Sequence, residues 1–375
     1  MTKILILYVE AGHGHRKVAE AIEKELKSQA PSILDVQIFD ALDKTNLFFR
    51  YFYPRTYYQF VIWVPWLWGL FYFLTNHPLI YFLIAPLRSL WNRLQSSALR
   101  EHLKKERFDF ILFTHFFPAE VCATAKRKGE INSKLITVVT DIIPHAVWQN
   151  PGTDHYWTMA EESLETLIKR GIPREQIFPN GIPVSDKFLS EHDRGALQNR
   201  LGLNRSRLTL LFTSGSFGIG PTEAVIDSFS DLRDQIQVIV VCGRNQVLLE
   251  TLKHRSFPFP VLRLGFIENM HEIMTVADLL IAKPGGATMC ESLVKKLPMI
   301  ILAPIPGQES ENAKWLIRHE AAFSIKKPSD IKNLISQILT HPDLLEKTRK
   351  LIEKIVKPKA ASDLAHFILN QIRTS

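Results

Sequence analysis

Short apolar runs recur along this chain, and a stretch with one apolar face follows most of them. The runs are KILILY, FDFILF, KLITVVTD, LTLLFTSG, IQVIVVCG, DLLIAKPGG and PMIILAP. Their apolar residues are continuous rather than alternating, as in strands buried on both faces of a parallel sheet. Between them, Arg16–Ser28, Glu161–Arg170 and Thr222–Arg233 read as helices. Strand-helix alternation predicts the α/β class with doubly wound sheets. The rhythm stops over the polar residues 180–206 and restarts with a strand ending in TSGSFG. Two domains are expected, 1–200 and 201–355, which suits a chain of 375 residues. Residues 329–373 read as helices with a break at Pro358.

Residues 47–94 do not fit this rhythm. They hold nearly half of the chain's aromatic residues, and their only full charges are Arg50, Arg55, Arg88 and Arg93. The longest apolar run, Phe60–Thr75, contains Pro65 and Gly69. It falls short of the roughly 20 residues that cross a hydrocarbon core of about 30 Å. Tryptophan and tyrosine favour the headgroup level, and flanking arginine suits anionic lipid. Trp63, Trp66 and Trp68 are denser than an ordinary core requires. The segment is expected to be an insertion in the first domain that docks in the membrane plane; a buried helix pair beside the first sheet is the alternative.

Composition narrows the picture less. A net charge of +8 favours anionic partners without choosing among them. Nucleic acid is disfavoured, because the aromatics crowd one apolar segment instead of interleaving with Lys and Arg. Cys122, Cys242 and Cys290 share no metal-type spacing, so a reduced, cytosolic compartment is expected. The apolar residues 3–8 are followed by charged and Gly-rich residues with no cleavage-like site, so no signal peptide is expected.

The sharpest chemical signal is KPGGATMCE at Lys283–Glu291. A strand ends in Lys283, Pro284, Gly285 and Gly286, and a helix begins near Ala287 and Thr288. Glycines let backbone N–H groups approach a ligand, and a helix N-terminus favours phosphate. Glu291, one turn on, suits two ribose hydroxyls better than phosphate. TSGSFG, with Ser214, Gly215 and Ser216, and VCGRN, with Gly243, are two more strand-tip loops. Together they point to a nucleotide along the carboxyl ends of a parallel sheet. Neither the dinucleotide G-x-G-x-x-G nor the P-loop pattern occurs in these loops. At the N-terminus, the first strand runs into Gly12, His13, Gly14 and His15. Near neutrality a histidine there can accept a proton.

Gly265, Phe266 and Met270, then KPGGATMCE, then GQESENA, resemble the nucleotide-sugar domain of family 28 glycosyltransferases of the GT-B fold. Gly14, His15, Ala19, Ala21 and Ile22, then VTDIIPHAVW at Val139–Trp148, then NGIPV at Asn180–Val184, are similar to monogalactosyldiacylglycerol synthases and diacylglycerol glucosyltransferases. The resemblance covers nearly the whole chain. It implies two Rossmann-like domains facing a cleft, with the terminal helix 356–375 packing back on the first. It implies transfer of galactose or glucose from a UDP-sugar to the free hydroxyl of diacylglycerol. It also implies no tightly bound metal or other cofactor. The net charge and the four arginines around the apolar segment make anionic membrane lipids the expected partners, and a peripheral position on the cytoplasmic side of the cell membrane is expected. No Asp-x-Asp pair stands in a suitable loop.

The resemblance also distributes roles. His15 is the expected base, on a loop that Gly14 opens toward the acceptor. Asp141 is expected to orient His15, to act as base itself, or only to cap a helix. His145 and Trp148 are expected to line the acceptor site. Gln308 and Glu309 match the motif that holds the donor sugar, Phe266 lies at the uracil, and Glu291 at the ribose. Ser214, Gly215, Ser216, Gly243 and Lys283 border the nucleotide, with Gly285, Gly286, Ala287 and Thr288 at its phosphates. His13 departs from the small or polar residue usual at its position. Two rival expectations remain: an N-acetylglucosaminyl transferase for an undecaprenyl-linked peptidoglycan precursor, and a catalytically silent membrane-binding protein of the same fold.

Overall fold

A computed structural model describes residues 1–10, 12–213, 221–325 and 327–374. Twelve strands form two six-stranded sheets. The first contains β1 (Thr2–Tyr8), β2 (Leu34–Asp40), β3 (Phe110–Phe113), β4 (Lys134–Val138), β5 (His155–Trp157) and β6 (Ile177–Phe178), in the order 2-1-3-4-5-6. The second contains β7 (Leu208–Thr213), β8 (Ile236–Val241), β9 (Val261–Leu264), β10 (Leu279–Ala282), β11 (Met299–Ile301) and β12 (Ala322–Ser324), in the order 12-11-10-7-8-9. Every pairing is parallel. Each order reverses beside its first strand, at β1/β3 and at β7/β10, the points where open α/β sheets bind ligands.

Helices α1 (His13–Gln29), α2 (Leu47–Trp63), α3 (Pro65–Asn76), α4 (Pro78–Gln95), α5 (Ser97–Glu106), α6 (Phe116–Arg127) and α7 (Glu161–Lys169) come first. Then follow α8 (Arg194–Arg200), α9 (Thr222–Asp227), α10 (Gln246–Lys253), α11 (Met270–Val276), α12 (Gly286–Val294), α13 (Gln308–Arg318), α14 (Ile331–Thr340), α15 (Asp343–Ile355) and α16 (Ala360–Arg373). Continuous apolar runs make the central strands. Ile4, Leu5, Ile6 and Leu7 of β1 are fully buried, each contributing about 1.5–3 kcal/mol by leaving water. On one face, Leu5 and Leu7 join Leu99, Leu103, Phe113 and Phe117. In the second sheet, Leu210, Phe212, Val238 and Val240 pack with Ile331, Ile335 and Ile338.

The chain divides into two compact units, 1–185 with 305–312 and 357–375, and 186–304 with 313–356. The change falls at Ser185/Asp186 rather than at 200/201. The cause lies in α8: Arg194 pairs with Asp278 at 2.5 Å and donates to the Val276 carbonyl, and Arg200 pairs with Glu272 at 2.5 Å. Residues 305–312, expected in the second domain, group with the first. The helix expected over Thr222–Arg233 ends at Asp227, and a 3-10 turn covers Ser230–Leu232. There the hydroxyls of Ser228 and Ser230 donate to the Val225 and Asp227 carbonyls, a local alternative to continued helix.

Residues 47–95 fold as α2, α3 and α4. Pro65 and Pro78 open α3 and α4, where a missing N–H costs nothing. No single helix among the described residues is long and apolar enough to cross a membrane, and α3 and α4 are bent by 96°. The inner face of α4 is polar: Asn92 donates to Glu120 of α6 at 2.7 Å, and Arg88 pairs with that carboxylate at 3.1 Å. Its outer face exposes Leu79, Phe82, Leu83, Leu87, Trp91 and Leu94.

Candidate active site

His15 sits in the first turn of α1, beside the switch point of the first sheet. Its Nδ1 meets the Thr114 carbonyl at 2.5 Å, just beyond β3, and the Thr140 hydroxyl at 3.4 Å, just beyond β4. The Thr114 hydroxyl donates to the His15 carbonyl at 2.9 Å, closing the clasp. The ring stands edge-on to His115, 4.8 Å between centroids. Burial lowers its pKa to about 4, against the raising effect of the Thr114 hydrogen bond, so the ring is uncharged near neutrality. A carbonyl only accepts, so the proton resides on Nδ1 and Nε2 keeps its lone pair. Gly14 shares this helical turn. His13 pairs with Glu10 at 2.7 Å, and Arg16 reaches the same carboxylate at 3.6 Å.

Asp141 does not orient His15, whose Nδ1 the Thr114 carbonyl already holds. It accepts instead from the Trp148 indole N–H at 2.8 Å. Burial raises the Asp141 pKa to about 6, and the indole hydrogen bond lowers it less. Trp148 is not an exposed acceptor contact: it is buried among Val139, Tyr156, Leu164, Leu167 and Ile177. His145 is committed as well. Its Nδ1 accepts from the Val147 N–H at 3.2 Å, so Nε2 carries the proton and donates to the Tyr72 carbonyl of α3 at 2.9 Å. It pins the helix rather than lining an acceptor site.

In the second unit, Lys283, Gly285 and Gly286 follow β10. Helix α12 starts with Gly286, Ala287 and Thr288, and its first turn carries neither an acidic residue nor a side-chain cap. Its backbone donors and dipole therefore suit an anion. Glu291 lies half-buried on the same helix. Gly243 lies two residues beyond β8, with φ +58°. Phe266 is exposed, with the Arg244 guanidinium over its ring at 5.5 Å. Ser214, Gly215 and Ser216 lie outside the described residues. Among the described residues, no three His, Cys, Asp or Glu side chains converge to hold a metal ion.

Residues 15–184 match the family described as Monogalactosyldiacylglycerol (MGDG) synthase, and residues 209–366 match the Glycosyltransferase family 28 C-terminal domain. The chain is 30% identical to a processive diacylglycerol beta-glucosyltransferase of Staphylococcus haemolyticus, over 94% of this chain and 89% of that one. It is 28% identical to a protein of that name from Bacillus thuringiensis, over 98% and 94%. The chain belongs to the family 28 glycosyltransferases. Among solved structures, Acinetobacter baumannii MurG aligns with a TM-score of 0.64 at 16% identity, covering 99% of this chain and 100% of that one. Anabaena Alr3699/HepE in complex with UDP-glucose aligns with a TM-score of 0.59 at 14% identity, over 99% and 100%. These likenesses show the fold, which is GT-B.

In this glycosyltransferase, Gln308 and Glu309 open α13. Glu309 Oε2 accepts from the Ile305 N–H at 2.8 Å and closes the turn ahead of the helix. Asn312, fully buried, accepts from the Ile142 N–H at 3.2 Å. Of the three tryptophans expected at lipid, Trp63 and Trp66 are exposed and Trp68 is half-buried. Two residues had no place in the sequence reading. Thr114 had no signal there, because it meets His15 only through the pairing of β1 with β3. Arg244 had one, a cation directly after a strand-tip glycine.

Proposed function

We propose that this glycosyltransferase transfers a hexose from a UDP-sugar to the free hydroxyl of 1,2-diacylglycerol while docked peripherally on the cytoplasmic face of a membrane. The observation that carries the reading is the state of His15: uncharged, with its tautomer held by Thr114 so that Nε2 is the basic nitrogen. Nε2 takes the proton of the acceptor hydroxyl. The oxygen attacks the anomeric carbon in line, the bond from that carbon to UDP breaks, and UDP leaves with the electron pair. Configuration at that carbon inverts. Gly285, Gly286, Ala287 and Thr288 meet the growing phosphate charge with backbone dipoles, which act strongly in a dry site. Glu291 accepts from the ribose hydroxyls, Phe266 with Arg244 lies against the base, and Gln308 and Glu309 hold the sugar. The diacylglycerol acceptor is supported by the names of the relatives and by the exposed apolar faces of α2, α3 and α4. UDP-glucose is the first donor to test, since those relatives are glucosyltransferases by name.

The test is a donor-by-acceptor matrix: UDP-glucose, UDP-galactose and UDP-N-acetylglucosamine against diacylglycerol and an undecaprenyl-linked precursor, with product masses. Glycosyldiacylglycerol from a UDP-hexose is expected. Transfer of N-acetylglucosamine to the precursor alone, or no transfer at all, would sink the reading.

A further inference from the structure

The turn before Gln308 is seated on a helix of the apolar insertion. Gly69 and Tyr72 stand three residues apart on α3 and therefore share one helix face. A Cβ on Gly69 would come within 2.7 Å of Pro306 Cβ. A Cβ on Gly307 would come within 2.7 Å of Tyr72 Cγ, and Gly307 holds φ +100°, which an L side chain resists. The buried Tyr72 ring also packs on the His145 ring, 4.6 Å between centroids, while the Tyr72 carbonyl accepts from His145 Nε2. Pro306 and Gly307 directly precede Gln308 and Glu309, and Glu309 is tied back to Ile305.

We propose that Tyr72 is a positioning residue for the donor sugar: its ring seats Gly307 and thereby sets Gln308 and Glu309. This rests on the reading that those two residues hold the sugar. It makes a helix that carries the exposed Trp66 and Phe71 also the floor under the sugar-binding turn. Donor recognition and the docking insertion then share one rigid part.

The full chain is assayed on phosphatidylcholine vesicles carrying diacylglycerol, with UDP-glucose and UDP-galactose as donors. Tyr72→Leu is expected to raise donor KM by about tenfold, since small misplacements at a site carry large costs. Inhibition by free UDP, which lacks the sugar, and vesicle binding should stay unchanged. Tyr72→Phe keeps the ring and should restore donor KM. Gly69→Ala, which pushes Pro306 from the same face, should raise donor KM again. An unchanged donor KM in Tyr72→Leu and Gly69→Ala overturns the proposal, as does an equal rise in the UDP inhibition constant. Gln308→Ala separates the two layers. If it raises donor KM and the α3 variants do not, only the positioning role fails. If it leaves donor KM unchanged, the sugar-binding reading fails and the positioning role with it.

Discussion

The Nδ1 atom of His15 lies 2.5 Å from the carbonyl oxygen of Thr114, so the parallel pairing of β1 with β3 selects which imidazole nitrogen is basic. Replacing His15 by alanine should lower kcat by about 10²–10⁴, the usual worth of a general base, with donor KM little changed. His15→Asn is the sharper variant. It keeps a donor for the Thr114 carbonyl and lacks a basic nitrogen, so it should be as slow as His15→Ala. An asparagine variant with wild-type turnover would remove His15 from the chemistry.

The pH profile tells the two candidate bases apart. His15 has a pKa of about 4 and Asp141 about 6. With His15 as base, kcat/KM should be level from about pH 5 upward, because Nε2 is already unprotonated there. A rise through pH 6 that vanishes in Asp141→Asn would instead assign the base to the Asp141 carboxylate.

Residues with continuous apolar neighbours were legible in advance. β1, β7, β8 and β10 announce themselves because four or more buried residues stand in a row. β5 and β6 do not, being three and two residues long and held mainly by their neighbours' register. The same limit governs the site. His15 lies a short loop beyond β1 and the KPGG turn directly beyond β10, so local pattern alone marks both as candidates. That Trp148 belongs to the core and bonds Asp141 depends on packing between segments, and so does the seat of Gly307 on Tyr72. An aromatic beside a motif looks the same in sequence whether it faces ligand or core.

Trp63 and Trp66 project from α2 and α3 at 79% and 68% exposure. If this face docks on lipid, Trp63→Ser with Trp66→Ser should weaken binding to neutral vesicles by about tenfold or more, from the lost apolar area. Cosedimentation with phosphatidylcholine vesicles reads this directly. Salt should matter little on neutral vesicles, and should weaken binding to anionic vesicles through Arg50 and the other cations. Unchanged cosedimentation of the double variant would place docking elsewhere.

His145 and Asp141 make opposite contributions to the pH dependence of stability. Burial lowers the His145 pKa from 6.5 to about 4. Between these values the unfolded chain binds a proton that the folded chain does not, so the contribution is full above about pH 6.5 and declines down to about pH 4. His15 acts in the same direction over the same window. Asp141 is raised from 3.8 to about 6, so the folded state holds the extra proton and acidification through this window stabilises it. Urea midpoints measured from pH 4 to 8 should therefore fall as the wild type is acidified below about 6.5. His145→Gln should flatten that fall. Asp141→Asn keeps an acceptor for the Trp148 indole and removes the buried charge, so it should be more stable than wild type at pH 8 and lose stability more steeply on acidification. An Asp141→Asn protein no more stable at pH 8, with an unchanged slope, would mean that the Asp141 carboxyl is not penalised by burial.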